Sequence, residues 1–330
     1  MKKNTVLITG GTGSFGHKFV EHALKNDTYS RIVIFSRDEM KQFYMAERFG
    51  ADPRLRFFIG DVRDQQRIKR ALNGIDIVIH AAATKIVPTA EYNPGECIKT
   101  NILGAMNLIE ALHDSDVSKV VALSTDKASA PINLYGATKL ASDKLFVSAN
   151  LYNAKKQKLS VVRYGNVMGS RGSVIPFFKR QLENGKTVTI TDERMTRFMI
   201  SLDEAVQMVE DALADMEGGE LYVRKIPSMN IVDILHSIKP KVDYEIIGIR
   251  PGEKLHEQMI SAEESRFTYE YENFYKVLPD LNNWSNEARF IKGGRKVNEG
   301  FSYTSDNNSD WMSREELAIW MKNNFSNLVY

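Results

Sequence analysis

Near the N-terminus an aliphatic run, Val6-Leu7-Ile8, passes into Gly10-Gly11-Thr12-Gly13-Ser14-Phe15-Gly16, and helical spacing follows over 17–24. This order constrains the fold strongly. A buried strand, a tight glycine turn and a helix together aim backbone N–H groups and a positive helix end at one point, where a pyrophosphate can lie. A glycine trio alone describes an ordinary turn, but the strand before it and the helix after it predict a dinucleotide cradle. Gly10, Gly13, Ser14, Phe15 and Gly16 are its expected contacts. Further β-branched or apolar runs at 31–35, 56–59, 75–79 and 120–123 alternate with longer, helically spaced stretches. The pattern predicts an α/β chain with a Rossmann-type doubly wound parallel sheet, whose ligands lie beyond the carboxyl ends of the strands.

The end of the second strand selects the cofactor. An acid there holds a ribose diol, whereas cations hold a 2′-phosphate. The chain reads Ser36-Arg37-Asp38 with Lys41 one turn on. Arg37 and Lys41 favour NADP; the competing reading leaves both solvated and gives the ribose to Asp38. After the third strand, Asp61-Val62 either meets the adenine or caps a helix. After the fourth, the small side chains of Ala82 and Ala83 either let the cofactor lie flat or pack on a helix.

From Ser124 to Lys139 the sequence Ser-Thr-Asp-Lys-Ala-Ser-Ala-Pro-Ile-Asn-Leu-Tyr-Gly-Ala-Thr-Lys crowds an acid, two amines, a phenol and hydroxyls at the end of a buried strand. Tyr135 and Lys139 are one helical turn apart, and an ammonium beside a phenol lowers its pKa, which suits a base for an alcohol proton. Asp126-Lys127 alone reads as a loop salt bridge; between Thr125 and Tyr135 it reads as an acid and base set.

The 44 basic and 42 acidic residues nearly cancel, with no basic block interleaved with aromatics, so nucleic acid is not an expected partner. No apolar run approaches the roughly 20 residues a bilayer span needs, and no signal-peptide core follows Lys2-Lys3. A cytoplasmic protein is expected. The single cysteine, Cys97, reads as a small buried hydrophobe. The six histidines show no metal-ligand spacing, and no metal site is expected. Strand and helix regularity weakens after residue 165, where Pro176, Pro227, Pro240 and Pro251 punctuate shorter units. The expected division is a nucleotide-binding domain over 1–165 and a smaller C-terminal substrate-binding domain over 166–330, with later segments free to return to the first. Trp284, Trp311 and Trp320 imply a folded end to the chain.

The glycine cradle, the Tyr135 and Lys139 pair and the alternating strands together resemble the extended short-chain dehydrogenase/reductase family. The likeness extends to a branch. Ile59-Gly-Asp-Val-Arg-Asp64, Ser124-Thr-Asp-Lys-Ala128, Arg163-Tyr-Gly-Asn-Val167, Ser170-Arg-Gly-Ser-Val174, Met195-Thr-Arg-Phe198 and Gly248-Ile-Arg-Pro-Gly-Glu-Lys-Leu-His256 resemble the inverting UDP-N-acetylglucosamine 4,6-dehydratases of pseudaminic acid synthesis. Retaining relatives carry Asp-Glu where this chain has Asp126-Lys127. A capsule-pathway branch usually replaces the tyrosine with methionine, so Tyr135 favours the pseudaminic acid branch. The family's usual histidine is replaced at Ile86, and its Ala-Asn is Ser129-Ala130 here.

The resemblance implies an internal redox dehydration on a tightly held NADP: oxidation at C4 of the sugar, loss of water across C5 and C6, return of the hydride to C6, and reprotonation of C5 from the opposite face. Tyr135 with Lys139 would take the C4 hydroxyl proton, Thr125 would hold the C4 oxygen, Lys127 would be the base at C5 and Asp126 the acid to the C6 oxygen. A closed, dry site is expected to make Lys127 partly neutral and Asp126 partly protonated. Lys85, Asn166 and Thr189 are implied on the substrate side. So are Arg171 to Val174, with Gly172 and Ser173 between them, and Arg197 and Arg250 against the uridine diphosphate, with Glu253 on its ribose. Standing alone, each arginine reads as a surface charge. A homo-oligomer, a hexamer by family likeness, is implied. The competing functions are a UDP-sugar 4-epimerase or reductase, a capsule-pathway dehydratase/5-epimerase, and a non-catalytic NADP-binding scaffold.

Overall fold

The structure, a computed structural model, describes residues 3–50, 52–152, 157–170, 172–280 and 287–324. The first half alternates as its apolar runs require. β1 (Thr5–Thr9), α1 (Ser14–Lys25), β2 (Arg31–Ser36), α2 (Glu39–Arg48), β3 (Leu55–Ile59), α3 (Gln65–Ala71) and β4 (Ile77–His80) come first. The short α4 (Val87–Tyr92) and α5 (Pro94–Ile98), a π turn and α6 (Gly104–Leu112) then lead to β5 (Lys119–Thr125). A single 3-10 turn, Asp126–Ala128, joins β5 to the long α7 (Leu134–Ala149), and β6 (Lys158–Tyr164) follows. Val6, Ile8, Ile32, Ile34, Val78 and Val120 are wholly or almost wholly buried, which is what a sheet covered by helices on both faces demands.

The second half begins with β7 (Asn166–Val167), α8 (Val174–Glu183), β8 (Val188–Ile190), β9 (Thr196–Ile200), α9 (Leu202–Asp215) and β10 (Leu221–Arg224). It continues with β11 (Ser228–Asn230), α10 (Ile231–Ile238), β12 (Tyr244–Ile246), β13 (Gln258–Ile260), β14 (Thr268–Glu270) and β15 (Phe274–Val277). It ends with α11 (Ala288–Ile291), β16 (Arg295–Lys296), β17 (Tyr303–Thr304) and α12 (Arg314–Asn324).

Among the described residues ten strands form one sheet in the order β16-β14-β15-β10-β6-β5-β4-β1-β2-β3. The stretch from β3 to β10 is parallel, while β15, β14 and β16 pair antiparallel. The register aligns the carboxyl ends: Thr9 pairs with Phe35 and His80, Ser36 with Ile59, and Thr125 with Tyr164. Every loop named above therefore opens at one edge. The chain beyond residue 165 thus serves two packing units. Four of its strands extend the sheet, while α8, α10 and α12 enclose a second apolar core around Phe178, Met195, Met229, Ile234 and Leu317. Trp320 packs against that core, Trp311 donates its indole N–H to the Asn308 carbonyl at 2.8 Å, and Trp284 lies outside the described residues. Among the described residues no helix is long and apolar enough to cross a membrane, and no cluster of metal-ligating side chains occurs.

One buried cation ties the sheet to the later segments. Arg163 on β6 is 1% exposed and donates to the Met259 carbonyl on β13 at 2.6 Å and to Glu264 at 3.0 Å. Its other terminal nitrogen lies 3.6 Å from Asp143 on α7, which also accepts from Ser124 at 2.7 Å. Removing one partner of such a network strands the others without a counter-charge, at a cost of about 3–5 kcal/mol. Arg163→Met is expected to lower unfolding stability by about that much in urea titrations, and adding Asp143→Asn to recover part of the loss.

Candidate active site

The glycine cradle is built as its spacing requires. Gly10 has φ +65°, and a Cβ there would lie 2.8 Å from the Ala82 backbone, so β1 and the loop after β4 touch only because this position has no side chain. Gly13 caps α1 without a side-chain hydrogen bond, and no acid occupies the helix's first turn, which leaves that end open to an anion. A cleft of about 280 Å³ runs beside the cradle, lined by Gly10, Ser36, Arg37, Asp38 and Lys41, by Asp61 and Val62 opposite, and by Ala82 and Ala83. Thr12, Thr84 and Thr100 line it too, and the sequence did not single them out. Asp38 Oδ1 caps α2 by accepting the Lys41 N–H at 3.0 Å, and its other oxygen pairs with the Lys41 ammonium at 3.1 Å. Asp61 accepts from the Arg63 guanidinium at 2.6 Å and sits 3.9 Å from Arg37. Burial pushes its carboxyl up, but the two arginines outweigh that and hold it below the usual range.

At the end of β5 the 3-10 turn and α7 meet closely. A Cβ on Gly136 would fall 2.1 Å from the Lys127 carbonyl oxygen, so the glycine after Tyr135 lets the phenol approach Asp126 and Lys127. Asn133 caps α7 by accepting the Gly136 N–H at 2.8 Å and donates to the Gly252 carbonyl at 2.7 Å, drawing the loop after β12 over the site. Tyr135 and Lys139 are both buried on one face of α7. The expected electrostatics need a correction. Burial pushes the Tyr135 phenol up to about 12, and the cation that pulls it down is Lys127, aided by the Thr125 hydroxyl, rather than Lys139. Lys139 is itself lowered by burial, against the pull of Asp143.

Lys127 also departs from expectation. Its ammonium lies 3.1 Å from Asp126 Oδ1 and 3.1 Å from Glu257 Oε1. Burial pulls the amine down, but the two carboxylates overcome it and hold Lys127 above the ordinary lysine range. Asp126 moves as expected: burial raises it, Lys127 opposes, and Glu257 adds to the rise. Thr125 donates to Asp126 Oδ1 at 2.9 Å. Glu257 follows His256 at the end of the Gly248–His256 segment, yet no spacing rule connects it to Lys127, 130 positions earlier in the chain.

A second cleft, of about 290 Å³, is lined by Lys127, Glu257, Asn166, Arg197, Arg250 and Glu253. Gly172, Ser173 and Val174 at the start of α8, Thr189 on β8, and Val87 and Pro88 complete much of its wall. The loop after β4, with the start of α4 that follows it, therefore borders both clefts. Asn166 Oδ1, Ser173 Oγ and Glu257 Oε2 are buried there without hydrogen-bond partners among the described residues. Arg197 is buried and donates to the carbonyls of Thr196, Leu255 and Lys254 at 2.7–3.1 Å, with Glu253 3.8 Å away. Arg250 is exposed. Lys85 is exposed on the loop just before Val87 and Pro88, and Arg171 lies outside the described residues. Cys97 is buried against Thr138, and His256 bonds Thr196 at 2.8 Å.

A parallel sheet with a glycine cradle, and a buried Tyr-x-x-x-Lys pair beside it, place the molecule with the short-chain dehydrogenase/reductase folds. Residues 6–279 match the family described as polysaccharide biosynthesis protein, and the chain belongs to that family. It is 55% identical over 323 residues, 96% of either chain, to the UDP-N-acetylglucosamine 4,6-dehydratase (inverting) of Campylobacter jejuni subsp. jejuni serotype O:2. It is 42% identical over 311 residues, 92% of this chain and 91% of the relative, to the UDP-glucose 4-epimerase of Rickettsia massiliae. The X-ray structure of Pen from Bacillus thuringiensis matches with a TM-score of 0.88 at 35% identity, covering 98% of this chain and 99% of that one.

The departure at Ser129-Ala130 has a local consequence. Ala130 sits at φ +43°, a left-handed conformation that costs an L-residue with a Cβ about 1–2 kcal/mol and that asparagine tolerates better. Ala130→Asn is expected to stabilise the protein by about 0.5–1 kcal/mol, measured by denaturant unfolding.

Proposed function

We propose that the protein is a UDP-N-acetylglucosamine 4,6-dehydratase, an NADP-dependent hydro-lyase that inverts C5 and yields UDP-2-acetamido-2,6-dideoxy-β-L-arabino-hex-4-ulose. The observation that carries this reading is Lys127 held against Asp126 in the wall of the second cleft, with Tyr135 facing it. An epimerase needs a tyrosine base for C4 but has no use for an acid and a base at C5 and C6.

The residues divide the work. The cradle around Gly10, Gly13 and Gly16 suits the cofactor's pyrophosphate, and Arg37 beside Ser36 suits a 2′-phosphate, since Asp38 is engaged by its own helix and by Lys41. A nicotinamide held by this cradle would supply the hydride acceptor for C4 and the hydride donor for C6. With Lys127 charged, its ammonium favours the Tyr135 phenolate, which takes the C4 hydroxyl proton while Thr125 holds the C4 oxygen. One proton then crosses the 3.1 Å between Lys127 and Asp126: an N–H bond breaks, an O–H bond forms, and both groups reach their working states. Lys127 takes the C5 proton, Asp126 protonates the departing C6 hydroxyl as water, and the resting ion pair is restored. A solvent-derived proton then adds to C5 from the opposite face, and Tyr135 releases the C4 proton to solvent. Asn166 and Ser173 offer unpartnered oxygens to the sugar, and Arg197, Arg250 and Glu253 line the side suited to the uridine diphosphate. Tyr135, where the capsule branch usually has methionine, favours the first step of pseudaminic acid synthesis over the capsule pathway. Family likeness favours a homo-oligomer, and the lack of a signal-peptide core or apolar span in the sequence favours the cytoplasm.

Purified protein given UDP-N-acetylglucosamine is expected to form a product lighter by one water in the mass spectrum. Lys127→Ala is expected to abolish that loss while binding NADP as tightly as wild type in calorimetry. An isomer of unchanged mass would favour the epimerase, and normal turnover by Lys127→Ala would remove the lysine from the reaction. Arg37→Ala is expected to weaken NADP about 10- to 100-fold, the worth of one charge-assisted hydrogen bond, while leaving NAD within about twofold.

A further inference from the structure

The dehydratase reading uses one carboxylate beside Lys127, but the structure supplies two. Asp126 belongs to the lysine's own turn, whereas Glu257 arrives from the segment before β13, where its backbone N–H is fixed by Ser305 Oγ at 2.9 Å. Glu257 is 2% exposed and spends Oε1 on Lys127 at 3.1 Å, with Arg197 Nε 3.9 Å from the same oxygen. Its Oε2 is buried and unpartnered among the described residues, in the cleft wall. A buried carboxylate left half satisfied in a cleft marks a group arranged for something besides stability.

We propose that Glu257 is the positioning residue of the elimination step: a fixed anion that holds the Lys127 nitrogen in the cleft and governs how the proton divides between Lys127 and Asp126. The proposal rests on the dehydratase reading and adds a residue to it. When the proton moves from Lys127 to Asp126, the attraction between those two charges disappears, and Asp126 alone could no longer hold the amine toward the sugar. While Lys127 is an ammonium, it and Arg197 outweigh the effect of burial and hold the Glu257 carboxyl below the usual range; once the proton has crossed to Asp126, Arg197 and Lys254 remain as the cations that favour its ionised form. It therefore accepts a hydrogen bond from Lys127 as ammonium and as amine alike. The neighbouring charges are consistent with this division. Lys127 is faced by Asp126 on its own turn, Tyr135 on α7, Arg197 on β9, and Lys254 and Glu257 on the segment before β13. Burial lowers the Lys254 amine, which donates to the Ser129 carbonyl at 2.7 Å.

The sign of the effect follows. Removing the Glu257 charge makes the Lys127 proton easier to lose, so a step that needs the free amine extends to lower pH, even as the amine loses its anchor. Two measurements on the intact protein read this: the pH midpoint of Lys127 acetylation by acetic anhydride, followed by peptide mass spectrometry, and kcat for water loss against pH. In Glu257→Gln the acetylation midpoint and the acidic limb of kcat are both expected to fall by about one to three pH units. The maximal kcat should drop about 10- to 100-fold, with KM within about twofold. Glu257→Asp should keep the wild-type midpoint and regain part of kcat. An unmoved acetylation midpoint, or a loss of kcat with an unmoved acidic limb, overturns the positioning role while the dehydratase reading stands. A wild-type protein that removes no water overturns the dehydratase reading itself, and with it any role for Glu257 in elimination.

Discussion

The ammonium of Lys127, 3.1 Å from each of two buried carboxylates, is the contact on which the site depends. Neither carboxylate could be buried as an anion alone, since the desolvation of an ion costs several kcal/mol. Lys127 in turn would shed its proton in a dry pocket without them. Lys127 and Asp126 are therefore tolerable as buried charges only together, while Glu257 has Arg197 3.9 Å away as a second cation. Because Asp126 closes β5 and Glu257 precedes β13, the same contact holds the loop after β12 against the carboxyl edge of the sheet. It is a clasp between two packing units and, on the proposed reading, the acid–base apparatus in the wall of the second cleft.

Behind it lies a second shared-charge network. Asp143, four residues beyond Lys139 along α7, accepts from Ser124 and faces Arg163, which reaches Glu264 and the Met259 carbonyl on β13. Burial raises the Asp143 carboxyl, and Arg163 and Lys139 act against that rise. The helix that presents Tyr135 and Lys139 is thus anchored to β5, β6 and β13 by buried polar contacts of defined geometry. The position of the phenol follows from them and from the side-chain-free approach at Gly136.

Much of this was legible in the sequence wherever local rules apply. The strand, glycine turn and helix at 6–24 fix the cradle because backbone geometry and dipole are properties of neighbouring residues. Tyr135 and Lys139 share a face because helical periodicity puts them there. What was not legible depended on charge and on contacts distant in sequence. Glu257 immediately follows a recognisable segment, but only the folded chain brings it to Lys127, and without it the dry pocket was expected to neutralise the lysine. The two carboxylates reverse that sign. Likewise Lys139 looked like the cation for Tyr135 from its spacing, whereas the 3-10 turn brings Lys127 to the phenol. Arg197 was implied only as a contact to the uridine diphosphate, and its further engagement with the three carbonyls of Thr196, Lys254 and Leu255 is a matter of the folded chain. The return of β10, β14, β15 and β16 to the sheet is a matter of topology that their short, irregularly spaced runs do not announce.

The most direct test of the account is a proton NMR time course of the protein with UDP-N-acetylglucosamine in deuterated water. The account predicts a new C6 methyl signal, deuterium at C5 and ring couplings of the L-arabino configuration, since removal of the C5 proton and loss of the C6 hydroxyl leave the first two marks and reprotonation of C5 from the opposite face leaves the third. A product that keeps its C5 proton and C6 hydroxyl while inverting C4 would contradict it, and would leave the Asp126, Lys127 and Glu257 cluster as a structural clasp.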